Sequence, residues 1–184
     1  MESKGNARGA PGGGCDEFSS TLHFGPYWPA DGYLATHGEY KSPTGDLSTD
    51  FHTFGLLWTA DRMTTYIDNI TVLDVDTSGA NGTFWQRGAF PPTSDNPWSD
   101  RGANAPFDRR FYLIINVAVG GTNGYFPDGL GDGKPWANTD AHAANNFIAG
   151  QPTWLPTWTS PMVVDSVRVW QAAPGGDFVV RPML

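Results

Sequence analysis

A single cysteine, Cys15, in 184 residues leaves no partner for a disulfide within the chain. Positive charge is also scarce. Eleven Lys and Arg stand against 19 Asp and Glu, a formal net charge of −8. That balance argues against any binding mode built on neutralising phosphates, so neither nucleic acid nor an anionic membrane surface is expected as a partner. No apolar run approaches the ~20 residues needed to span a bilayer. The opening Met1-Glu2-Ser3-Lys4-Gly5-Asn6 has none of the apolar core of a secretory signal. His37, His52 and His142 show no metal-ligand spacing, and no phosphate-cradling glycine loop is present. No serine sits in a nucleophile-elbow context, and Cys15 lies in a glycine-rich loop. Neither a repeat nor a linker divides the chain, so one core is expected.

Glycine, proline and aromatic rings are abundant instead. With 23 Gly and 15 Pro, the chain is still 39% hydrophobic, which argues for short strands joined by many turns rather than disorder. Eight Trp, six Tyr and 11 Phe supply large contact surfaces, either for a core or along an open groove. Sugars present flat C–H faces that stack on indole, so a neutral polysaccharide fits this composition better than an anionic ligand. Two sequons, Asn69-Ile70-Thr71 and Asn81-Gly82-Thr83, suit a secreted chain.

Residues 1–17 read as a glycine-rich lead-in. Residues 18–24 alternate strictly, with Phe18, Ser20, Leu22 and Phe24 on one face and Ser19, Thr21 and His23 on the other, the period of a half-buried strand. The Pro, Gly and Asp of 26–50 predict a long loop. Strands are expected over 51–59, 63–68 and 70–75, joined by tight turns into a meander, with Trp58 in the core. A loop-rich stretch follows over 77–109. The nearly continuous apolar run 111–119 predicts a central strand covered on both faces. A short helix is expected over 141–149, capped by Thr139 or Asp140, and a last strand over 162–170. One short helix against six strands means an all-β sandwich.

In the predicted central strand, Phe111, Leu113, Ile115, Val117 and Val119 share the core face, while Tyr112, Ile114, Asn116, Ala118 and Gly120 share the other. An amide flanked by Ala and Gly leaves room for a ligand over the sheet, which makes Asn116 a candidate for hydrogen bonding a sugar hydroxyl. The other reading is a buried Asn satisfied by backbone groups. His23, on the polar face of its strand, carries the same pair of readings, ligand contact or structural histidine.

At this point the residues resemble a known family. Phe51-His52-Thr53-Phe54-Gly55-Leu56-Leu57-Trp58-Thr59 and Tyr66-Ile67-Asp68 resemble the mid-domain strands of glycoside hydrolase family 16. More specific are Ala105-Pro106-Phe107-Asp108, Phe111-Tyr112-Leu113-Ile114-Ile115-Asn116-Val117-Ala118-Val119-Gly120-Gly121, Thr122-Asn123-Gly124-Tyr125-Phe126-Pro127-Asp128-Gly129 and Lys134-Pro135-Trp136. These are similar to the β-1,3-glucanase branch, and in particular to the invertebrate lipopolysaccharide- and β-1,3-glucan-binding proteins. Trp154, Trp158 and Val164-Asp165-Ser166-Val167-Arg168-Val169 match the closing segment. The resemblance covers residues 1–171, leaves 172–184 as a C-terminal tail, and implies a concanavalin-like jelly-roll β-sandwich with a concave glycan-binding face, here missing its N-terminal strands.

The family's catalytic motif reads Glu-x-Asp-x-x-Glu, then Ser-Arg/Lys-Gly-Asn in this branch. Alternating strand positions put the carboxylates on one face, with a bulge absorbing the extra residue. A retaining glycosidase needs its nucleophile and acid/base roughly 5–5.5 Å apart. Glu2, followed by Ser3-Lys4-Gly5-Asn6, matches the acid/base position; the nucleophile and intervening Asp positions fall before Met1. By place alone, Glu2 lies where chain ends fray. The resemblance therefore implies endo-β-1,3-glucanase ancestry with one catalytic carboxylate present. The alternative is a non-catalytic module that recognises β-1,3-glucan in innate defence, with lipopolysaccharide left open as a second ligand. Position by position, His23, Asn116 and Trp136 match cleft-side residues, and Trp85 and Trp98 are either sugar platforms or packing residues. No cofactor is expected; in some members a carboxylate matching Asp165 binds calcium on the convex side, with partners from the N-terminal part. The parent family is extracellular.

Overall fold

The computed structural model describes every residue except Asp132, 173–177 and 182–184. The chain divides into two compact units, Met1–Ile114 and Ile115–Leu184.

In the first unit, β1 (Glu17–Thr21) runs antiparallel to β2 (His37–Lys41), pairing Phe18 with Tyr40, Ser20 with Gly38 and Thr21 with His37. The alternation expected from residue 18 holds past the strand end: Phe18, Ser20, Leu22 and Phe24 are buried, while His23 faces solvent. The predicted loop 26–50 is corrected here, since it contains β2. That strand is His-Gly-Glu-Tyr-Lys, none of it fully buried, so no hydrophobic period marks it.

The expected meander forms. Antiparallel strands β3 (Phe54–Trp58), β4 (Arg62–Ile67) and β5 (Ile70–Asp76) lie in that order, with a register irregularity at Thr65/Tyr66. Met63, Thr65 and Ile67 of β4 and Leu73 and Val75 of β5 point inward. Against expectation, Trp58 is not core. It lies on the outer strand of this sheet, is 38% exposed, and meets Phe111 edge-on with ring centres 5.3 Å apart.

Thr83 opens a four-residue helix, α1 (Phe84–Arg87), through a reciprocal capping box with Gln86. The helix drives Phe84 into the core, where Leu22, Phe24, Met63, Leu73, Val75 and Phe107 surround it and Phe90 and Trp98 close the margin.

The backbone of β2 rests directly on β5. A Cβ at Gly38 would run into the Val72 carbonyl oxygen, whereas one at Gly45 meets nothing. Gly38→Ala is therefore expected to cost about 1–3 kcal/mol, as overpacking does, and Gly45→Ala to leave the thermal midpoint nearly unchanged. Paired melting curves check this; equal midpoints would mean that β2 and β5 do not touch.

The second unit holds α2 (Ala143–Ala149), α3 (Gln151–Trp154) and a hairpin of β6 (Val169–Ala172) and β7 (Phe178–Arg181). The helix expected over 141–149 starts two residues late and takes neither expected cap. His142 holds the N-cap position without a side-chain bond, and the Asp140 carboxylate instead accepts from His142 N and Asn146 Nδ2. Two strand expectations fail. Residues 111–119 adopt no strand and their side chains are exposed, and of 162–170 only Val169 and Trp170 enter one. Of the expected tail 172–184, Ala172 ends β6 and Phe178–Arg181 form β7; the rest lies outside the described residues. The described sheets are antiparallel throughout, an all-β architecture of the kind a jelly roll is built from.

Candidate functional site

The outer face of β1 gathers a row of polar side chains. Glu2 does not fray. Its N–H donates to Ser19 O and its carbonyl accepts from Ser19 N, both at 2.8 Å, in an antiparallel bridge along the free side of β1. Directly opposed residues put their side chains on one face. Because Ser19 also opposes Glu39, the row Glu2, Ser19, Glu39 crosses the sheet on the outer side. The next row on that face is Thr21 and His37. His37 Nε2 lies 3.0 Å from Glu39 Oε1 and its Nδ1 2.7 Å from Thr21 Oγ1. A carboxylate only accepts, so Nε2 carries the proton and the Thr21 hydroxyl donates to Nδ1 in the neutral ring.

His23 continues the face. Its Nδ1 donates to Asp31 Oδ2 at 2.7 Å, and its ring stacks on Tyr33 with centres 5.6 Å apart. This bond turns Nε2 of the neutral ring into an acceptor. Asp31 is itself fixed, because its Oδ1 accepts from Phe24 N at 3.2 Å and Tyr33 N at 3.1 Å. These bonds fold the segment 25–33 back onto the strand, and a Cβ at Gly25 would collide with the Ala30 carbonyl. The folded segment raises Trp28 to 77% exposure and walls an open groove of about 360 Å³ with Tyr27, Pro29, Asp31, Phe90 and Pro91. That size falls in the roughly 300–1,000 Å³ range of small-ligand sites.

Trp85 and Trp98 come together, but elsewhere. Their rings sit 6.2 Å apart beside Phe90, and with Thr83, Asn96 and Arg101 they wall a cavity of about 110 Å³, too small for a glycan. In the second unit, Asn116 is exposed within the unpaired segment. Trp136 is tethered by its Nε1, which donates to Gly121 O at 2.8 Å. It meets Phe147 edge-on at 5.5 Å, and Phe147 stacks on Trp154 at 5.1 Å. Asp165 is exposed outside any element, and no group of three or more His, Cys, Asp or Glu among the described residues fits a metal ion.

Glu39, His37, Asp31, Tyr27, Trp28 and Tyr33 were absent from the sequence-derived site. The available signal was Gly25-Pro26-Tyr27-Trp28-Pro29, a loop too rich in large rings to be mere solvent-exposed connection.

Two carboxyls near these elements sit below their ordinary value of 3.8. At Asp68 the chief cause is the hydrogen bond from His52, then that from Thr53 N. At Asp76 it is the Ser78 hydroxyl, then Ser78 N. A carboxyl whose pKa is lower folded than unfolded stabilises the fold fully above the unfolded value, and that contribution fades as pH falls through the folded one. The thermal midpoint should therefore decline as pH drops below 3.8, and Asp76→Asn should flatten the decline. A variant with an unaltered slope would remove Asp76 from this account.

Comparison with known proteins relates part of the chain to a known family. The sequence profile of Glycosyl hydrolases family 16 matches residues 14–95. The Beta-1,3-glucan-binding protein of Penaeus monodon is 44% identical over 161 residues, 83% of this chain and 43% of that protein. The Gram-negative bacteria-binding protein 1 of Drosophila melanogaster is 38% identical over 71% of this chain and 25% of its own length. The Glucan endo-1,3-beta-glucosidase A1 of Niallia circulans is 34% identical over 66% of this chain and 14% of its own. The chain thus spans less than half the length of each of these relatives. No solved structure matches it. The stretch that holds β1–β5 is thus a match to glycosyl hydrolases family 16, and relatives align along most of the chain.

Proposed function

We propose that this chain is a β-1,3-glucan-directed family 16 domain whose sugar-facing surface is the outer face of β1, with Glu2 in the acid/base position. The observation that carries this reading is the Glu2–Ser19 bridge, which aligns the Glu2 carboxylate with Ser19, Thr21 and His23 on one polar, exposed face. Glu2 and His23 then stand about 13 Å apart along the strand, four residues at ~3.3 Å each. Trp28, Tyr27 and Tyr33 supply apolar faces at the far end, and Asp31 and Glu39 supply acceptors for hydroxyls. A neutral polymer is favoured because the nearby charge is carboxylate, and because several relatives are named for β-1,3-glucan. Within the second unit, Asn116 and Trp136 are separate candidate sugar contacts, and residues 1–171 constitute the proposed domain.

Hydrolysis with retention needs a second carboxylate roughly 5–5.5 Å from the first. The motif puts it five residues before Glu2, ahead of position 1. Residues 1–184 supply the glucan-binding face in this reading, and the step assigned to Glu2 is protonation of a glycosidic oxygen where a nucleophile is supplied. The recognition reading gains support from the name of the Penaeus monodon relative, a beta-1,3-glucan-binding protein, and the Drosophila melanogaster name adds Gram-negative bacteria as a target to test, with lipopolysaccharide as the ligand we would try first. Either reading places the protein outside the cell.

Sedimentation with insoluble β-1,3-glucan tests the proposal. The folded chain should pellet with the glucan, be released by soluble laminarin and leave laminarin uncut. A folded chain that stays in the supernatant would overturn the binding reading, and new reducing ends would overturn the division of labour assigned to Glu2.

A further inference from the structure

The two sequons look equivalent in the sequence but are not equivalent in the fold. Asn69 occupies the two-residue turn between β4 and β5, beside Asp68, whose φ is 52°. Asp68 is anchored by His52 Nδ1 at 2.8 Å and Thr53 N at 2.9 Å, which fixes the turn without using its neighbour. Asn69 and Thr71 are both exposed, and neither side chain makes a hydrogen bond among the described residues. The acceptor amide and the hydroxyl of the sequon stand at a hairpin tip, where a bulky hydrophilic adduct meets solvent only.

The second sequon is closed on itself. Asn81 Nδ2 donates to Asp76 Oδ2 at 2.9 Å, and Asn81 N donates to the same oxygen at 3.2 Å. Thr83 Oγ1 accepts from Gln86 N at 3.3 Å as the cap of α1, and Thr83 N donates to Gln86 Oε1 at 2.8 Å. Arg87 ties the intervening residue through Gly82 O at 3.1 Å. All of these contacts are local, so the segment closes as soon as it is made, and its amide and hydroxyl are occupied.

We propose that Asn69 is an N-glycosylation site and that Asn81 is not. The donor class is a lipid-linked oligosaccharide diphosphate. Asn69 Nδ2 bonds to the anomeric carbon, the diphosphate leaves with the electron pair of the broken C–O bond, and the amide gives up one proton. The hairpin remains intact because Asn69 contributes only backbone to it.

The test is expression of the full chain behind a cleavable secretory leader in insect cells, reading intracellular and secreted protein together so that retained chain also reports. Peptide N-glycosidase should sharpen and shift the band, and should convert residue 69 to Asp while residue 81 stays Asn. N69Q and T71V should each abolish the shift, and N81Q should leave it. A chain with no glycan, or a shift that disappears in N81Q and survives in N69Q, overturns the assignment. Agreement of N69Q with T71V separates loss of the acceptor from any disturbance of the turn.

Discussion

Phe84→Ala is expected to remove about 3–5 kcal/mol from the stability of the first unit, the range for deleting a buried aromatic ring. Phe84 is 1% exposed and meets both Phe24 and Phe107 edge-on, with ring centres 4.9 Å apart in each case. Each such pair adds about 0.5–1.5 kcal/mol beyond area burial. A four-residue helix cannot stand alone, because isolated helices shorter than about 12–15 residues are marginal. The α1 turn is held by its cap on one side and by Phe84 on the other. Thr83→Ala, which removes only the cap, should cost about 1 kcal/mol. Urea unfolding of both variants decides the ranking. If Thr83→Ala proved the more damaging, the aromatic cluster would not be the core of this unit. Phe24 also carries the segment 25–33, since its carbonyl accepts from Gly32 N at 2.7 Å. Losing Phe84 should therefore loosen the groove around Tyr27 and Asp31 along with the core.

That coupling explains which parts of the molecule could be seen in advance. Alternation at 18–24 and along β4 and β5 was legible because each has one dry and one wet face, and burial writes itself into sequence with period two. The strand β2 was not, because its residues sit on the rim of the sheet and its closest approach to β5 is made by a glycine, Gly38, which leaves no apolar signature. The run 111–119 failed in the opposite direction. Hydrophobicity says that a segment seeks cover, but a strand also needs a hydrogen-bonding neighbour. This run straddles the boundary of the two units, exposed and outside any strand. The site shows the same division. Glu2 and His23 were singled out as candidates from motif and alternation. Asp31, Glu39 and His37 were not, because what assembles them is cross-strand register and a loop folding back, neither of which has a local pattern.

The same register yields the sharpest expectation for function. His23→Ala should weaken binding to β-1,3-glucan by about tenfold, the effect of losing one hydrogen bond together with an exposed ring, about 1.4 kcal/mol. Its side chain is 59% exposed, so the thermal midpoint should barely move. Asp31→Ala ought to do more harm to both, because Asp31 also accepts from Phe24 N and Tyr33 N and thereby shapes the groove. Asp31→Asn is the informative intermediate. Its Oδ1 can still hold both amides, but its NH2 now donates toward His23 Nδ1, which reverses the tautomer and makes Nε2 a donor. A sugar hydroxyl both donates and accepts, so this variant should retain most of the affinity that His23→Ala loses. Affinity electrophoresis in laminarin gels, run beside melting curves, separates the three. Should His23→Ala migrate like the parent chain while Asp31→Ala is retarded less, the His23 ring is not a sugar contact, Asp31 acts by positioning the loop, and the glucan surface must be sought at Trp28 and Tyr27 instead.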